Sequence, residues 1–253
     1  MMENDNILKR RFMDLANRAH QRGIITYSDF LSDGDLQIYF REKSNFDFVN
    51  TAMYGGYPDA ERQIISFLPY VQPLNELIYP ISCLEIAPVH KKFAEDLTHR
   101  DYLGAILNLG IERTLLGDIL VTEHVAYLFC KSSIASFIIE QCCRIRHTTV
   151  VVREVDFTQV SYKKEFEEVS GTVSSLRLDS ILTVCTKVSR GKCTELIRSE
   201  KVYVNHRLIT SPHYTPSDED IISIRGVGKF IFCQEEAKMT KKGRFFIKLM
   251  KYK

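Results

Sequence analysis

Residues 196–209 read LIRSEKVYVNHRLI, and the change of period inside this stretch decides how the C-terminal part of the chain folds. Leu196 and Ile197 close an apolar stripe at helical spacing, whereas Val202 and Val204 alternate with their neighbours as strand residues do. Asn205 and His206 then stand between two short alternating runs, where a hairpin turns. A helix that runs so directly into a hairpin has to pack on it. The same stretch carries positive charge at Arg198, Lys201 and Arg207.

Upstream, Leu178, Ile181, Leu182 and Cys185 have the spacing of one inward helix face, and Ser189 is placed as the N-cap of a second helix reaching to about Ser199. Downstream, the polar turn TPSDED at 215–220 leads into a third strand, DIISIRG at 220–226. The second helix starts with Arg190 and Lys192 in its first turn, where cations oppose the helix dipole and cost stability. Placed beside the free amides of a helix start, two such cations form a phosphate site.

Charge is unevenly distributed along the 253 residues. Residues 174–253 hold 16 Lys and Arg against 8 Asp and Glu, while residues 1–173 hold 18 against 24. A formal net charge of only +2 hides this asymmetry, which points to a polyanion-binding surface at the C-terminal end. The tail AKMTKKGRFFIKLMKYK at 237–253 has seven basic residues and no acid, so Lys241, Lys242 and Arg244 extend the candidate RNA surface. Such a tail also suits an anionic membrane surface, or a strand returning to a sheet with its cations outward.

The segments RLD at 177–179, VSRGKCTELIRSEKVYVN at 188–205 and DEDIISIRG at 218–226 resemble the alpha-L RNA-binding motif, the module of ribosomal protein S-four. The resemblance implies Lys187, Arg190, Lys192, Arg198, Lys201, Asn205 and Arg207 as RNA-facing residues. Glu200 and His206 stand where that family usually has glycine, so each is expected to accept a left-handed backbone. RLD also occurs in pseudouridine synthases, with the Asp as nucleophile; inside this motif Asp179 reads instead as an exposed or helix-capping acid.

The rest of the chain is expected to fold as α+β. Residues 1–75 read as a small α/β domain, with an amphipathic helix over 6–22, Ser32 or Asp33 capping a second helix, and strands on either side of the Gly55-Gly56 turn. Residues 76–155 show the order βαββαβ, the ferredoxin-like arrangement that RNA-recognition domains share. Tyr127 and Phe129 lie on one face of a central strand there, as a base-stacking pair or as core. Residues 156–173 read as a linker or connecting strand, and 174–253 as the RNA-binding domain with its basic tail.

GGYPDAER at 55–62 and HRDYLGAILNLGIERTLLGDILV at 99–121, followed by the alpha-L motif, resemble the bacterial YlmH family over nearly the full length. That resemblance implies association with the ribosome and structured RNA, either rRNA or tRNA. It also implies kinship with factors that hold peptidyl-tRNA on the large subunit during ribosome-associated quality control, and genes lying near those of cell division.

No enzyme site is legible. Glu112 and Asp118 read as a solvated turn or a salt bridge to Arg113, and His99, Arg100 and Asp101 with Arg113 as helix capping and loop anchoring. The seven histidines lack metal-ligand spacing and the seven cysteines form no C-x-x-C pair, so neither a metal nor any other cofactor is indicated. KMTKK at 238–242 lacks the nucleotide-binding unit that an ATP loop needs. With no continuous apolar segment, a cytoplasmic monomer without integral membrane association is expected. The leading expectation is a non-catalytic RNA-binding protein. The competing ones are an RNA-modifying enzyme and a membrane-peripheral division factor.

Overall fold

The computed structural model describes residues 2–58, 60–70, 77–123, 125–159, 166–240 and 243–252, without the side chains of 2–4, 93, 235 and 236. Lys241, Lys242, His124, part of the 156–173 connection and the division at 75/76 fall outside the described residues. The chain forms two compact units, Met1–Ser161 and Tyr162–Lys253.

The first unit opens with α1 (Met2–Arg22), a turn longer than the apolar spacing announces, which buries Phe12, Ala16 and Ala19. Gly23 ends it at φ +63. Ser32 caps α2 (Asp33–Glu42), and Asp35 returns the bond in a capping box. Both helices pack on a sheet of order β1 (Thr26–Tyr27), β3 (Ile64–Leu68), β2 (Asn50–Tyr54). Phe12, Tyr39, Phe46 and Phe67 fill the space between.

The same unit continues with β4 (Ile81–Pro88), α3 (His99–Leu107), β5 (Leu116–Val121), β6 (Ala126–Lys131), α4 (Ala135–Gln141), β7 (Arg144–Ile145) and β8 (Thr148–Val155). The sheet order is β5-β6-β4-β8-β7, antiparallel throughout. Its first four strands stand in the order second, third, first, fourth, as a βαββαβ unit arranges them. The two-residue β7 is too short to show a period in sequence. Leu84, Ile86, Leu128, Ile106 and Ile138 form the core under the helices.

The opposite face of this sheet is closed at its centre. Phe129 is buried, with its ring stacked on Tyr57 at 4.9 Å and edge-on to Phe157 at 4.9 Å. A β-carbon on Gly56, held at φ +103, would stand 2.3 Å from that ring. Of the Tyr127/Phe129 pair, therefore, only Tyr127 keeps exposure, and Phe129 is covered by the Gly-Gly-Tyr turn rather than by the helices.

Of the carboxylate pair expected in a solvated turn or in a salt bridge to Arg113, Glu112 is exposed at a turn and Asp118 needs correction. Asp118 lies on β5, 9% exposed, and accepts hydrogen bonds from the Tyr57 hydroxyl (2.8 Å), Glu61 N (2.7 Å) and Arg62 N (3.1 Å). Burial raises its pKa, and these three donors only partly oppose the rise. Arg62 donates to the carbonyls of Leu116, Phe30 and Arg113. Arg113 donates to those of Leu116 and Gly117, and burial with the neighbouring Arg62 charge lowers its pKa to about 10. GGYPDAER and GIERTLLGD are thus two halves of one buried lock.

The second unit contains β9 (Phe166–Val173), α5 (Leu178–Thr186), α6 (Arg190–Arg198), β10 (Val202–Val204), β11 (Arg207–Leu208), β12 (Ile221–Ile224), β13 (Gly228–Met239) and β14 (Phe245–Tyr252). Its sheet order is β11-β10-β12-β13-β14-β9. Leu178, Ile181, Leu182, Cys193, Ile197, Val202, Phe230, Phe232, Ile247 and Leu249 share one core. The basic tail is consequently a strand between β13 and β9, not an appended segment. Alternation sends Ile247 and Leu249 inward, while Lys248 approaches Glu168 at 3.5 Å.

Candidate nucleic-acid interface

Cations line both ends of α6. Lys187 follows α5 in a left-handed conformation (φ +57) and is exposed, as are Arg190 and Lys192 in the first turn of α6. Arg198 ends α6, Lys201 precedes β10 and Arg207 opens β11, all exposed. The two ends of α6 lie about 12 Å apart at 1.5 Å per residue, so the cations form two groups joined by one helix. Ser189 occupies the N-cap position with extended backbone but makes no side-chain capping bond.

Arg190 turns out to have a partner. Asp179, expected to be exposed or capping, is 3% exposed and lies beneath the start of α6. Arg190 Nε donates to its Oδ2 at 2.9 Å and a terminal nitrogen to its Oδ1 at 3.1 Å, while Arg177 reaches Oδ2 at 3.0 Å. Burial alone would raise the pKa of Asp179, but the two guanidinium groups outweigh it and hold the carboxyl below its usual range. A cation in the first turn of α6 opposes the dipole, and the buried acid offsets that cost for Arg190. Lys192 in the same turn is exposed.

The hairpin turn is built as its backbone requires. Asn205 (φ +47) and His206 (φ +63) are both left-handed, the geometry of a two-residue turn that matches strand twist, and Glu200 (φ +58) ends the helix likewise. Asn205 donates to Asp220 Oδ1 at 2.7 Å and accepts from Ile221 N at 2.9 Å. Its amide thus ties the turn to β12 and works within the hairpin. Arg244 stands at the start of β14 and donates to Thr172 O at 3.1 Å. Two cations escaped the sequence reading, exposed Arg225 and half-buried Lys229. Arg225 lies 5.4 Å over the Tyr203 ring, and its backbone N donates to Lys201 O at 2.9 Å; Lys229 sits on β13. Arg225 was visible in the ISIRG run, but only pairing of β12 with β10 brings it beside Lys201.

Residues 76–159 match the family described as "Putative RNA-binding domain in YlmH", and residues 176–222 match the S4 domain. The chain is 30% identical over 220 residues to the ribosome-associated protein quality control protein P2 of Bacillus subtilis, covering 86% of this chain and 84% of that one. The chain belongs to the YlmH family.

A solved structure described as the YlmH cell division protein of Streptococcus pneumoniae is 26% identical with a TM-score of 0.49, over 62% of this chain and 93% of that one. In this YlmH-family chain the S4 match stops at 222, within β12. Its core does not stop there, since Phe230, Phe232, Ile247 and Leu249 complete it. The lock between Tyr57, Arg62 and Asp118 joins the YlmH-type RNA-binding domain to sequence that precedes the matched span. Among the described residues no helix is long and apolar enough to cross a membrane.

Proposed function

We propose that this protein is a non-catalytic RNA-binding protein of the ribosome, acting in translation or in ribosome-associated quality control by docking on structured rRNA or tRNA of the large subunit. The observation that carries this reading is the α5-α6-hairpin module, whose apolar side chains close one core while Lys187, Lys192, Arg198, Lys201 and Arg207 face solvent around α6. The S4 match over the module and the ribosome-associated B. subtilis relative support it. Phosphate contacts from these cations supply affinity that falls with salt, and the rigid helix and hairpin supply shape recognition. Asn205 and Arg190 act one step back, holding the turn and the start of α6.

The test is pelleting of the full chain with 70S ribosomes across a KCl series, comparing wild type with Lys187→Glu/Lys192→Glu/Lys201→Glu. Loss of binding with a salt slope lower by about two to three units, at about 0.9 per phosphate, supports the reading. Unchanged binding and slope in a folded variant rules it out.

A further inference from the structure

The span matched to an RNA-binding family offers RNA very little on the face that RNA-recognition folds use. Phe129 is stacked under Tyr57, and Glu85 beside it holds Arg153 at 2.7 Å. Of the eight Lys and Arg between 77 and 159, three lie away from the end of the sheet formed by 89–101 and 144–149: Arg153, Arg113 and Lys131. Arg113 is half-buried on two carbonyls, and Lys131 is half-buried against Asp29 at 2.6 Å. The other five are Lys91, Lys92, Arg100, Arg144 and Arg146, and all are exposed, with Arg144 Nε donating to Arg146 O at 3.0 Å.

These five come from three separate segments, and the fold gathers them at one end. Val89 N donates to Thr149 O at 3.0 Å, and Glu95 N to the Thr148 hydroxyl at 3.1 Å, laying 89–95 along the start of β8. His147 N donates back to the Glu95 carboxylate at 3.0 Å. Arg146, at the left-handed turn between β7 and β8, reaches Asp101 in the first turn of α3 at 2.8 Å. Exposed His90, His99 and His147 fall in the same segments. Of the three acids there, Glu95 accepts from His147, and Asp101 is taken up by the Thr98 cap and Arg146, leaving Asp96.

We infer that the end of the middle sheet formed by 89–101 and 144–149 is a second RNA contact, gripping phosphate backbone through Lys91, Arg100 and Arg144, at a site separate from the α6 module. Exposed cations and imidazoles gathered from separate segments suit phosphates. Contact here adds affinity without sequence choice. This inference rests on the reading that the protein binds ribosomal RNA.

The experiment uses the full chain and 70S ribosomes over 50–300 mM KCl, with Lys91→Glu/Arg100→Glu/Arg144→Glu as the variant. Arg10→Glu/Arg18→Glu/Arg22→Glu on the exposed side of α1 is the charge-matched control. A salt slope lower by about two to three units for the first variant alone is the expected result. An unchanged slope, or an equal fall in the α1 control, overturns the inference. If reversal unfolds the protein by circular dichroism, Lys91→Gln/Arg100→Gln/Arg144→Gln is read in the same way. Lys187→Glu/Lys192→Glu/Lys201→Glu, run in parallel, keeps the two ideas apart: normal binding by that variant sinks the proposed function, whereas normal binding by the middle-sheet variant sinks only the second contact.

Discussion

Asp179 ties the start of α6 to that of α5 through Arg190 and Arg177. Replacing it with Asn keeps the size and removes the charge that holds Arg177 and Arg190, so Asp179→Asn is expected to destabilise the second unit by about 1–3 kcal/mol at pH 7. Because its folded pKa is lowered, the stability it contributes is present above the unfolded value of about 3.9 and is lost as pH falls through the folded value. Urea titrations of wild type and variant should therefore differ at pH 7 and converge as pH drops below about 3.9. A difference that stays constant down to pH 2 would show that the carboxylate charge is not its source. Asp118 has the opposite sign. Its folded pKa is raised, so falling pH relieves the cost of burying its charge instead of removing a stabilising contribution.

At the scale of elements, two glycines have opposite roles. Gly56 is left-handed and its β-carbon would strike Phe129, so Gly56→Ala is expected to cost more than about 2 kcal/mol through strain and overpacking. Gly104 lies inside α3 with helical backbone and open space around its β-carbon position. Gly104→Ala should stabilise the unit by about 0.5–1 kcal/mol. Thermal melts of the two variants, moving in opposite directions from wild type, are the check. The strand β14 yields a third element-scale prediction. Deleting residues 244–253 removes Ile247 and Leu249 from the core and separates β13 from β9, so loss of cooperative unfolding in the second unit is expected, not merely weaker RNA binding.

For the molecule as a whole, the unit boundary predicts which fragments stand alone. A fragment of residues 162–253 retains β9 against β14 and is expected to fold, giving dispersed amide resonances. Residues 174–253 lack β9 and expose the edge of β14, and are expected to be less stable and prone to associate. Equal melting midpoints for the two fragments would contradict this. The 162–253 fragment keeps the α6 cations and should bind unrelated structured RNA; a weaker preference for ribosomes than that of the full chain is the expected outcome of a pelleting comparison.

Local pattern was enough for the helices α5 and α6, the hairpin at Asn205-His206, the capping of α2 by Ser32 and the βαββαβ order, because each follows from spacing or turn chemistry within about ten residues. The charge asymmetry and the candidate cations around α6 were legible for the same reason, being properties of composition and helix position. Tertiary structure alone decided the partners across long separations. Arg190 to Asp179 joins the first turn of one helix to that of another, Tyr57 to Asp118 spans 61 positions, and Lys248 reaches Glu168 only because β14 lies between β13 and β9. Sequence specifies which side chains carry charge; the folded core determines which of those charges are neutralised inside the protein and which remain for RNA, since desolvation and pairing depend on neighbours that the chain brings together only when it closes.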